Sequence, residues 1–121
     1  MNKKLAWLLA FIAISVIACA TTEPHPGHTE EIRALMQNPE TAADHEAIAA
    51  HYDEDAKLLR GKAEEHKKIL KDFLAHPYLY GKMGQYGFQA HCEYLIRLYS
   101  EAADSNLEMA KLHRQIGEGT K

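Results

Sequence analysis

Two long runs of apolar residues spaced alternately by three and four, separated by a short punctuated stretch, constrain this chain more than any other feature. In the first run His45, Tyr52, Leu59, His66 and Phe73 fall seven apart, and Ala49, Ala56, Ala63 and Leu70 follow four residues after the first four of them. That is the a/d spacing of a helix that keeps one side against another helix. In the second run Phe88, Cys92, Leu95, Tyr99, Ala102, Asn106, Met109, His113 and Ile116 alternate at steps of four and three. The spacing predicts one helix from the Asn38-Pro39-Glu40 signal to Phe73 and another from Tyr86 to Ile116, ending at Gly117. At ~1.5 Å per residue each arm is about 45 Å long. Between them, Leu74 to Gly84 carries Pro77, Gly81 and Gly84 and reads as a turn. The expected fold class is therefore all-α, with two long antiparallel helices forming a helical hairpin.

The flanking residues agree with this reading. Asn38 caps, Pro39 tolerates the first helical position, and Glu40 sits near the positive end of the dipole. Acids dominate the first half of that helix (Asp44, Glu46, Asp53, Glu54, Asp55), and bases dominate the second (Lys57, Arg60, Lys62, Lys67, Lys68, Lys71). Upstream, Thr29 can cap a short helix to Gln37, with Ile32, Leu35 and Met36 on one side. The second long helix has further apolar positions at Ile96, Leu98, Ala103, Leu107, Ala110 and Leu112. One partner helix cannot cover so wide a stripe. A lone hairpin of this size also buries little core. Either the short N-terminal helix folds back over it or two hairpins pair, and a homodimer, with two hairpins forming a four-helix bundle, is the favoured solution.

The first residues obey different rules. Lys3 and Lys4 precede an unbroken apolar or small run from Leu5 to Ala18. The run is short of the roughly 20 residues a membrane span needs, and its layout is that of a secretory signal. It ends in Val16-Ile17-Ala18-Cys19, which resembles the lipobox of bacterial lipoproteins. The resemblance implies cleavage before Cys19, lipidation (palmitate and related acyl chains) of Cys19, and attachment to a membrane through the N-terminus. Because Ala20 rather than Asp follows, it also implies the outer membrane, facing the periplasm. Residues 1–18 are then a signal peptide, 19–29 a flexible tether and 30–121 the helical hairpin domain.

Charge narrows the partners. The full chain has 14 basic and 17 acidic residues, a net −3. Removing Lys3 and Lys4 leaves 12 against 17, a net −5. No basic stripe suits nucleic acid, and an acidic body is a poor match for anionic headgroups. Membrane attachment would rest on acyl chains, each buried methylene contributing about 0.8 kcal/mol.

Candidate chemistry rests on histidine. All 8 histidines follow Cys19. Folding the hairpin at its turn sets His66 opposite His91 and Cys92, His45 opposite His113, and Tyr52 near Asn106. Imidazole and thiolate suit zinc or copper, and bundle cores also hold haem. The tether segment His25-Pro26-Gly27-His28 offers two further imidazoles without fixed geometry. His51 and His76 have no evident partner. With Cys19 acylated, Cys92 is a lone thiol, unable to form an internal disulfide. Aromatic residues crowd the turn (Phe73, Tyr78, Tyr80, Tyr86, Phe88), and their simplest role is to close the end of the bundle.

Motifs for covalent haem, zinc hydrolysis, nucleotide binding and serine hydrolysis are absent from the sequence. The body resembles small helical lipoproteins and periplasmic proteins of Gram-negative bacteria in opening a long helix with a His-Cys pair. That resemblance implies no particular activity. The expectation is a non-enzymatic envelope lipoprotein acting through protein contacts. The competing expectation is a metal- or haem-binding lipoprotein using His66, His91 and Cys92, or His45 and His113.

Overall fold

The computed structural model describes residues 28–120. The signal peptide, Cys19 and His25 lie outside that range. Among the described residues every regular element is helical: α1 (Glu30–Gln37), α2 (Ala42–Ala75), a 3₁₀ turn (Pro77–Tyr80), α3 (Gly81–Gln85) and α4 (Phe88–Gly119). None is long and apolar enough to cross a membrane.

Thr29 caps α1 as its position predicts, its hydroxyl accepting the Ile32 N–H at 3.2 Å. The start of α2 differs from the expectation. Asn38 closes α1, its N–H reaching the Ala34 carbonyl, and does not open α2. Thr41 opens α2 through a capping box. Its hydroxyl accepts the Asp44 N–H at 3.1 Å, and the Asp44 carboxylate accepts the N–H groups of Thr41 and Glu40 at 2.8 and 3.0 Å. A box that satisfies three orphan donors outcompetes a single Asn cap. These bonds hold the Asp44 carboxyl below the usual carboxylate range.

The two long helices pack side by side, and their contacts run in opposite directions along the chain. His45 meets His113, Arg60 meets Asp104 and Phe73 meets Phe88. The expected turn is itself largely helical. Gly87 then adopts φ +81 and serves as N-cap of α4, a left-handed conformation that favours glycine. Phe73, Tyr80 and Phe88 close this end of the pair, with ring centroids 4.7 to 5.1 Å apart. Tyr78 and Tyr86 remain exposed.

The core is made of small side chains. Ala49, Ala56 and Ala63 line α2, Ala103 and Ala110 line α4, and Ile48 is the one large side chain fully buried among the described residues. The seam of α4 is accordingly displaced from the expected one. Cys92, Tyr99, Asn106 and His113 lie inward as predicted, but their partners are Ile96, Ala103, Ala110 and Gly117. Leu95, Ala102, Met109 and Ile116 sit one position away, and Met109 and Ile116 are 37% and 52% exposed. The physical reason is close approach. A ridge of Ala on α2, and of Ala and Gly117 on α4, allows the backbones to come together, whereas Met and Ile at the seam would hold them apart.

Gly117 shows how tight the contact is. It does not end α4, which runs on to Gly119. A Cβ built on Gly117 would lie 3.2 Å from the Cβ of His45 and 3.4 Å from the Ala42 carbonyl oxygen. Polar clamps fix the register outside this ridge. Arg114 donates to both oxygens of Glu46, at 3.1 to 3.2 Å, and to Asp53 at 2.7 Å. Arg60 donates to Asp104 at 2.8 Å.

Candidate functional site

Away from the turn, imidazole and phenol rings form a continuous array across the two helices. His45 is 6% exposed, and its Nδ1 lies 3.0 Å from Nδ1 of His113, so one ring donates and the other accepts. Both come from seam positions, and the register of the two packed helices brings them together. Tyr52 stacks on His113, centroids 5.8 Å apart. Burial, and then the neighbouring charge of His45, hold the His113 imidazole below the usual histidine range. A shared proton between two half-desolvated rings disfavours a second charge.

The array continues outward. His51 immediately precedes Tyr52 on α2, and its ring centroid is 4.9 Å from that of His28 and 6.1 Å from that of Tyr52. Nε2 of His51 lies 2.7 Å from Nδ1 of His28 and 3.3 Å from a carboxylate oxygen of Asp55. His51 and Asp55 are one helical turn apart, which puts them on one face. His28 arrives from the segment just before the Thr29 cap. Among the described residues this is the one group of three or more His, Cys, Asp or Glu side chains whose ligand atoms lie within 4.8 Å of one another.

The other expected ligands are placed differently. Cys92 is buried on the seam, while His91 beside it is exposed. Adjacent helical positions diverge by about 100°, so the two do not share a face. Burial, helped by the charge of Glu93, pushes the Cys92 thiol up and favours its neutral form. The ring of His66 stacks on Tyr99, 5.7 Å between centroids, one heptad beyond Cys92. Tyr52 likewise meets His113 rather than Asn106, which donates to the Ala102 carbonyl of its own helix. Side chains lean toward the N-terminus of their own helix, so in an opposed pair they reach each other across a staggered level. Nδ1 of His66 is buried and has no hydrogen-bond partner.

Two surface depressions among the described residues do not bring these groups together. One is lined by Ala42, Glu46, Arg114, Gly117 and Glu118, where the guanidinium is already held by two carboxylates. Another, beside His91, is lined by turn residues from Gly84 to Phe88.

No protein-family model, no curated protein and no solved structure matches the chain.

Proposed function

We propose that this protein is a non-enzymatic lipoprotein of the bacterial envelope. In this reading Cys19 carries the acyl chains, the outer membrane is the anchoring surface, and residues 19–29 tether a helical hairpin in the periplasm. The hairpin acts through protein contacts, first of all with a second copy of itself as a homodimer.

One observation carries the association: the apolar stripe on the outer side of α4. At 100° per residue, Tyr94, Leu98, Met109, Leu112 and Ile116 all lie about 200° to 260° around the helix from Cys92. Each is at least 36% exposed. The stripe runs from residue 94 to 116, about 33 Å. Apolar surface of that length marks an interaction site. A second copy suits it because the core within one chain is mostly alanine and provides little burial. Pairing two such stripes supplies the large side chains that the core lacks.

Light scattering on the full chain in mild detergent tests this reading. A protein mass of two chains is expected, falling to one in the Leu112→Glu/Ile116→Glu variant with its helical signal retained. A monomer across the micromolar range would overturn it. Ser105→Cys, inside the same stripe, is expected to cross-link copies on mild oxidation. For the anchor, Cys19→Ala is expected to lose acyl labelling and to accumulate as unprocessed precursor. Labelled, processed variant protein would refute lipidation.

Zinc, copper or haem on His66, His91 and Cys92 is the weaker reading. Two of those groups sit on different faces of α4, and the buried thiol is held neutral.

A further inference from the structure

We propose that His28, His51 and Asp55 form a binding site for a zinc-type divalent cation, and that the ion fastens the leading end of α1 to α2. The proposal is independent of self-association, which uses the far side of α4.

Nε2 of His51 faces two groups at once, Nδ1 of His28 at 2.7 Å and the Asp55 carboxylate at 3.3 Å. With neutral rings, one proton at most lies on each of these nitrogens. If His28 donates to His51, the His51 lone pair is spent on that bond and no donor faces Asp55. If His51 carries the proton at Nε2, it is shared between two acceptors. In both tautomers three electron-rich atoms converge on fewer donors than they need. A cation at the focus satisfies all three together.

The donor set and spacing fit such an ion. Two imidazole nitrogens and one carboxylate oxygen are ordinary zinc ligands at about 2.0–2.2 Å. In a tetrahedron of that size neighbouring ligand atoms stand about 3.3 Å apart, the observed His51–Asp55 separation. The two imidazole nitrogens need to part by about 0.6 Å to reach the same spacing. His28 can give that movement, because it is exposed and precedes the helix. His51 and Asp55 are pre-set, their side chains only 13% and 20% exposed. Three protein ligands leave a fourth position open to water. Nitrogen-rich ligands favour zinc or copper over magnesium or calcium, which prefer all-oxygen shells.

The position of the site explains what binding would do. α1 buries none of its residues fully. Ile32, Leu35 and Met36 are half-buried, so apolar packing holds the helix only loosely to the rest. His28 is the residue before its Thr29 cap. A metal bond at that point staples the N-terminal helix to α2. It also ties the ion to the ring array, since His51 abuts Tyr52, and Tyr52 stacks on His113.

The test uses the full chain, purified in detergent without a histidine tag, titrated with zinc ion alone in competition with a chromophoric chelator. One equivalent is expected to bind, with magnesium unable to displace it. His28→Ala and Asp55→Asn are each expected to weaken binding by about tenfold or more. His76→Ala and His91→Ala are expected to leave it unchanged. Zinc is also expected to slow amide exchange across residues 30–37, and His28→Ala to abolish that slowing. Circular dichroism checks that each variant retains its helices. No stoichiometric binding by the folded parent chain would overturn the proposal, as would binding that survives both His28→Ala and Asp55→Asn. Loss of binding in His91→Ala with His28→Ala unaffected would place the ion elsewhere and would overturn it equally.

Discussion

Gly117 on α4 and His45 on α2 approach so closely that a methyl group on the glycine would meet the histidine Cβ at 3.2 Å. A glycine inside a helix normally costs about 0.5–1 kcal/mol relative to alanine. Here it is retained because the second obstacle is the backbone oxygen of Ala42, which cannot swing aside as a side chain can.

That relationship predicts different outcomes for two glycines. Gly61 lies within α2 with nothing near its would-be Cβ. Gly61→Ala is expected to raise unfolding stability by about 0.5–1 kcal/mol. Gly117→Ala is expected to fall short of that gain, and Gly117→Leu to destabilise clearly by forcing the helices apart. Urea unfolding followed by far-ultraviolet dichroism measures all three. An equal gain at both positions would show that the interhelical contact is not tight.

Much of the fold is legible from spacing alone, because alternating threes and fours leave a helix few options. The inward set Cys92, Tyr99, Asn106 and His113 follows directly. The complementary set was displaced by one position because Met109 and Ile116 outweigh Ala110 and Gly117 in hydrophobicity. Hydrophobicity ranks transfer from water, whereas the close seam selects small volume. The His45–His113 pair could be read from the register. The His28–His51–Asp55 group could not, because His28 comes from an irregular segment and His51 from a flank of the helix. The one sequence signal was the four-residue interval between His51 and Asp55. The stagger that moves His66 from Cys92 to Tyr99 depends on the lean of side chains, which spacing does not encode.

The paired imidazoles predict a pH dependence of stability. Burial and the neighbouring His45 lower the pKa of His113 in the folded chain. The unfolded chain, with an ordinary histidine value near 6.5, therefore binds more protons just below that pH. The stability contributed by the neutral, buried ring is complete above about pH 6.5 and is lost as pH falls through the folded-state value. Melting temperatures between pH 8 and 5 should decline more steeply for the parent than for His113→Gln. Parallel curves would remove His113 as the cause.

Cys92 should be slow to react. Its thiol is buried, and both desolvation and the charge of Glu93 push its pKa up. The thiolate is the nucleophile, so both accessibility and ionisation oppose modification. In a Cys19→Ser chain, alkylation of Cys92 is expected to be far slower in the native state than in urea. Stability should also erode as pH rises past the ordinary thiol value, because only the unfolded thiol then ionises freely. Equal native and denatured alkylation rates would contradict the burial.

His66 offers the sharpest distinction between packing and polarity. Its ring stacks on Tyr99, and the Lys62 ammonium lies 5.6 Å from the same Tyr99 centroid. Its Nδ1 is buried without a hydrogen-bond partner. An unmet buried polar atom costs about 1–3 kcal/mol, whereas the stacked ring contributes favourably. His66→Phe keeps a ring against Tyr99 and removes the stranded nitrogen. It is expected to raise unfolding stability by about 1 kcal/mol. His66→Ala loses the ring as well, and is expected to fall below His66→Phe. Both are measured by urea unfolding at pH 8. A destabilised His66→Phe would mean that the nitrogen makes a bond whose loss outweighs the relief, and the residue would then hold its place for polar rather than packing reasons.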